Sequence, residues 1–77
     1  MARKEFYVVH HRNEWKIRYE DRHFGPFSTQ AEATSKAIDL AHGVGKARGD
    51  ASVLIQDKRH VWRVEWSYGD DPYPPES

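Results

Sequence analysis

At 77 residues the chain has room for one small domain, whose core alone supplies only about 3–5 kcal/mol. The lack of cysteine excludes disulfides, thiolate metal sites and thiol nucleophiles, and no apolar run reaches the roughly 18 residues that span a bilayer. Formal charge is zero, which argues against a protein that coats DNA by neutralising phosphates, but its layout is uneven. All 12 Lys and Arg and nine of the 12 acids precede Ser67, leaving a body of +3 and a tail of −3.

The N-terminus, MARKEFYVVHHRN, has basic residues but no apolar segment after them, so it does not read as a secretion signal. A cytoplasmic protein is expected. Three Trp, four Tyr and three Phe, each burying about 150–250 Å², supply the bulk that chain length does not.

Residues 5–10, EFYVVH, are β-branched and aromatic, and residues 14–19, EWKIRY, alternate strictly, with Trp15, Ile17 and Tyr19 on one side and Lys16 and Arg18 on the other. A hairpin turning at His11–Asn13 is expected. The parity of its turn leaves open whether Phe6 and Val8 or Tyr7 and Val9 join the buried side, because a one-residue slip exchanges the faces. EDRHFGPF follows as a loop, broken by Gly25 and Pro26 and anchored by Phe24 and Phe27.

FSTQAEATSKAIDLAH then starts a helix. Thr29 suits the N-cap, and Glu32 is spaced to complete a capping box. Ala33, Ala37, Leu40, Ala41 and Val44 form one stripe, narrow enough to seat the helix closely on Trp-rich strands. Gly43 and Gly45 each weaken the last turns by about 1 kcal/mol relative to Ala, so the helix is expected to end between His42 and Arg48.

ASVLIQDKRHVWRVEWSY reads as a second hairpin. An even loop centred on Lys58 and Arg59 pairs Ile55 with Trp62, Val53 with Val64 and Ala51 with Trp66, all apolar. That register leaves Leu54, Gln56, Val61, Arg63 and Glu65 on the other face. The expected fold is α+β, ordered β-β-α-β-β, with a four-stranded, mainly antiparallel sheet covered on one face by one helix. Residues 1–69 form the domain, and the acidic, Pro-rich residues 70–77 are expected to be an extended or disordered tail.

The order Val8-Val9, Trp15, FSTQAEA opening an alanine-rich helix, SVLIQDKRH and then VEWSYGDDPYP resembles the bacterial domain-of-unknown-function family 2188. The resemblance covers nearly the whole chain, and the Thr-Gln-Ala-Glu-Ala helix start and Tyr-Gly-Asp-Asp-Pro ending carry most of it. It implies a small domain of two hairpins and one helix. It brings no known catalytic residues.

Chemistry-bearing constellations are sparse. His10 and His11 point to opposite faces of a strand, and no His-x-x-x-His or His-Glu-x-x-His spacing joins them to His23, His42 or His60, so no metal site and no cofactor are expected. Ser28, Ser35, Ser52 and Ser67 lack the glycines of a nucleophile elbow, and HGVGKARGD lacks the spacing of a phosphate loop. Lys46 and Arg48 there suit a helix C-terminus. No catalysis and no small-molecule substrate are expected.

The uncovered sheet face is the better candidate. Arg18, Leu54, Val61 and Arg63 mark it as an interaction surface for a protein partner or a second copy. Lys16, Arg18, Lys58, Arg59 and Arg63, beside Tyr7 or Phe6, supply the ingredients of a nucleic-acid platform as the alternative. A small inhibitor of a bacterial or phage nucleoprotein complex is a third reading, suggested by size alone.

Overall fold

The computed structural model describes residues 4–56 and 59–74. The chain folds as β1 (Glu5–His11), β2 (Glu14–Tyr19), β3 (Arg22–Phe27), α1 (Gln30–Arg48), β4 (Ser52–Gln56) and β5 (Trp62–Ser67). The α+β class and the single helix agree with expectation. The sheet differs: it has five strands in the order β3-β2-β1-β4-β5, and it is mixed, because β1 pairs with β4 in parallel and with β2 antiparallel.

The extra strand is β3, which covers the segment expected to be a loop. Gly25 and Pro26 fall where the β2–β3 register shifts between Trp15 and Ile17, and Gly25 takes φ 122. Proline donates no backbone hydrogen bond, which an edge strand with a bulge tolerates. Breakers that argue against a central strand are thus compatible with this one.

The first hairpin resolves by its turn. Arg12 and Asn13 both have positive φ, 51 and 66, the requirement of a two-residue primed turn, and His11 pairs with Glu14. Val8 then opposes Ile17, and Phe6 stacks on Tyr19 with centroids 4.1 Å apart. Phe6 and Val8 therefore face the helix, and Tyr7 and Val9 face away.

Helix α1 starts at the Thr29 cap that its sequence suggests, with Glu32 bonded to the Thr29 hydroxyl in place of the backbone N–H of a full capping box. The Thr29 hydroxyl accepts from the Glu32 backbone N–H at 3.1 Å, and the Glu32 carboxylate accepts from that same hydroxyl at 3.3 Å. The helix runs through both glycines to Arg48 and ends on Gly49, whose φ of 86 lets its N–H reach the Gly45 carbonyl. Ala33, Ala37, Ile38, Ala41 and Gly45 are its buried residues, with Leu40 and Val44 partly buried. They lie on Phe6, Val8, Ile17, Val53, Ile55 and Trp66.

The second hairpin departs from the expected register. Gln56 opposes Trp62, Ile55 opposes Arg63, Leu54 opposes Val64, and after a shift Val53 opposes Trp66. A bulge in β5 absorbs Glu65, so the apolar matching of Ile55 with Trp62 and Val53 with Val64 does not occur. Trp66 alone turns into the core, at 2% exposure.

Within the segment read as a tail, Asp71 accepts from the Ser67 backbone N–H through its carboxylate, and the Pro72 carbonyl accepts from the Trp66 indole at 2.8 Å. Tyr73 stacks on His42 and donates to Asp39. Residues 70–74 therefore lie against the end of β5 and the outer side of α1. Among the described residues, no helix is long and apolar enough to cross a membrane.

Candidate interaction surface

Strand alternation and register place Tyr7 and Val9 of β1, Lys16 and Arg18 of β2, Leu54 of β4, and Trp62 and Val64 of β5 on the face away from α1. Tyr7 is its hub. The Arg18 guanidinium carbon lies 5.1 Å from the Tyr7 ring centroid, within cation–π range, and the Trp62 ring meets Tyr7 edge-on at 5.1 Å and 78°. The Tyr7 hydroxyl donates to Glu5 at 2.8 Å. That hydrogen bond to a carboxylate, then burial, then the Glu5 charge push the Tyr7 phenol above its ordinary 10.0, with Arg18 pulling the other way.

The apolar part of this surface belongs to β5, an edge strand. Trp62 is 37% exposed, Val64 53% and Val61, just before the strand, 54%. Leu54, between Tyr7 and Val64 in the sheet, is only 9% exposed and forms the floor of the patch.

The residues anticipated from sequence divide. Arg18, Lys16 and Leu54 stand on this face, and Val61 is exposed beside it. Arg63 does not join them: it sits opposite Ile55, a core residue, because the register is offset by one, and it lines a cleft on the helix side. Arg59 is exposed at the β4–β5 turn, and Lys58 lies outside the described residues. Among the described residues, the cations expected on one platform are therefore not on one face: Lys16 and Arg18 share the face of the aromatic pair and Arg63 does not.

Trp62 and Val64 are the residues that strand patterning missed, and Tyr7 was left open against Phe6. Tyr7 was hidden by the unresolved turn parity, which the Arg12-Asn13 pair could have settled as a primed turn. Trp62 and Val64 were hidden by the bulge, for which the alternation carries no signal.

Among the described residues, no group of three or more His, Asp or Glu side chains is placed to hold a metal ion. The family model described as "Uncharacterized protein conserved in bacteria (DUF2188)" matches residues 6–68. No curated protein and no solved structure matches the chain. The two motifs that carry most of the resemblance have structural work here: Thr29 caps α1, and the Tyr68–Pro72 run forms the turn that fastens the chain to Trp66.

Proposed function

The chain belongs to this bacterial family of uncharacterized proteins, and for it we propose the function of a non-catalytic cytoplasmic interaction module that binds protein through the sheet face around Tyr7, Arg18, Trp62 and Val64. One observation carries the reading. Three of the four exposed large apolar residues among those described, Val61, Trp62 and Val64, fall in one short stretch at the start of an edge strand. Beside them lie a Tyr and an Arg, residue types that with Trp dominate binding energy at protein interfaces. A Leu floor between Tyr7 and Val64, with the exposed Trp62 packed on Tyr7, gives the apolar centre, and Lys16 and Arg18 give a charged rim that selects for carboxylates.

Nucleic acid is the second reading, supported by the Tyr7 and Trp62 rings next to Lys16 and Arg18. It is the weaker of the two because Arg63 stands on the other side of the sheet and Glu5 holds the Tyr7 hydroxyl.

Sedimentation equilibrium of the purified chain, with nuclease-treated pull-downs from native lysate, tests the proposal. Wild type is expected to self-associate, or to retain a protein that rebinds when purified, and Trp62→Ala and Arg18→Glu are expected to abolish this. A wild type that stays monomeric and retains nothing the variants lose would overturn it. Retention that vanishes with nuclease, with oligonucleotide binding falling steeply between 50 and 200 mM salt, would establish the second reading instead.

A further inference from the structure

The carboxyl-terminal parts of the parallel strands β1 and β4 lie at one end of the sheet, where His10 and Gln56 share a cleft with the first residue of α1, Gln30. A cleft of about 530 Å³ opens there on the helix side of the sheet, away from the face discussed above. Its volume falls within the roughly 300–1,000 Å³ of small-ligand sites, and its position, outside the carboxyl ends of parallel strands, is where open α/β sheets hold ligands.

The lining has a definite chemistry. Ile55, 8% exposed, lies beneath it. On one wall His10 stacks on Trp15 with centroids 4.2 Å apart and planes 15° from parallel, His10 is itself exposed, and both residues line the cleft. Arg63, displaced to this side by the β5 register, contributes a guanidinium. Gln30 and His60 complete the rim, and His60 is held by its carbonyl, which accepts from the Gln56 side chain at 2.9 Å. Among the described residues no carboxylate lines the cleft.

We propose that this cleft binds a nucleoside monophosphate, with the phosphate on Arg63 and the base against the His10–Trp15 stack. A guanidinium takes a phosphate through paired N–H donors, and the imidazole and amide side chains around it are further donors. A flat ring wall adds stacking that is tolerant of base identity. An inorganic anion alone leaves the ring wall unused, and a neutral nucleoside leaves Arg63 without its counter-charge.

The test is an amide NMR titration of the full chain with AMP, adenosine and inorganic phosphate in parallel. AMP is expected to shift His10, Gln30, Gln56 and Arg63 saturably at millimolar or lower concentration, with adenosine and phosphate each about tenfold weaker. Arg63→Gln, at an exposed edge-strand position, is expected to weaken AMP by about tenfold with spectral dispersion retained. His10→Ala is expected to lose the preference for AMP over phosphate. Absence of saturable shifts, phosphate binding as tightly as AMP, or undiminished AMP affinity in Arg63→Gln would each overturn the proposal. Shifts centred on Tyr7, Lys16 and Arg18 would do so as well, by moving the ligand to the opposite face.

Discussion

The Tyr68 ring occupies the space that a side chain at Gly45 would need. A methyl group built on Gly45 would overlap the ring, whereas one on Gly43, two residues earlier, meets nothing within 4 Å. Helix propensity treats the two glycines alike, and packing separates them. Gly43→Ala is expected to stabilise the protein by up to about 1 kcal/mol. Gly45→Ala is expected to destabilise it by about 1–3 kcal/mol, since the overlap outweighs the same propensity gain. Urea denaturation midpoints of the two variants, shifting in opposite directions, are the check.

Thr29 caps α1 through a single hydroxyl that both accepts from the Glu32 N–H and donates to the Glu32 carboxylate. Thr29→Ala removes both bonds and is expected to cost about 1 kcal/mol, while Thr29→Ser, which keeps the hydroxyl, is expected to cost only a few tenths, roughly. Equal losses in thermal denaturation of the two variants would show that the methyl group, and not the cap, matters.

Tyr73 donates to Asp39 at 2.7 Å, and this bond, then burial, then the Asp39 charge hold its phenol above the ordinary 10.0. Only the neutral phenol donates. The contact's stabilisation is therefore fully present below the unfolded value and is lost as pH rises through the higher folded one. Phenolate absorbance is expected to show two late-titrating tyrosines, Tyr7 and Tyr73, since Tyr7 is raised by Glu5 in the same way. Tyr73→Phe should remove one late component, and Asp39→Asn should move that component to lower pH.

Lys4 and Glu20 form an ion pair at 2.9 Å that bridges the start of β1 and the turn after β2. The hydrogen bond to Lys4, then its charge, hold the Glu20 carboxyl below its ordinary 4.5. A depressed carboxylate stabilises the fold above its unfolded value and ceases to do so as pH falls through the folded one. Lys4→Gln is expected to raise the Glu20 midpoint in a carboxyl NMR titration. The pair is exposed, so added salt should produce a similar shift in the wild type.

Much of this architecture was legible in the chain, and the failures have physical causes. Strand β2 was plain because Trp15, Ile17 and Tyr19 alternate without interruption, and α1 because a cap, a stripe and a correctly spaced acid coincide. Strand β3 was obscured because Gly25-Pro26 reads as a breaker unless the strand is known to be an edge. The β5 register was misjudged because maximal apolar pairing assumes a regular ladder, and the bulge at Glu65 breaks it. That single offset sent Arg63 to the cleft and brought Trp62 and Val64 into the open, so the candidate surface changed more than the fold did. Arg18 was placed correctly from local alternation alone, and Tyr7 needed only the handedness of one turn.

The central position of β1 has a consequence for how the molecule comes into being. Its partner β2 follows at once in the chain, but its other partner, β4, comes only after the helix, so Phe6 meets Val53 across most of the polypeptide. Contacts of such separation slow folding, because the loop must close before they contribute. During synthesis the β1–β3 meander emerges first, with one long side of β1 unpaired and Phe6 and Val8 uncovered. Until the last third of the chain arrives, the nascent protein carries an open template for another strand, and its danger of aggregation is concentrated in that interval.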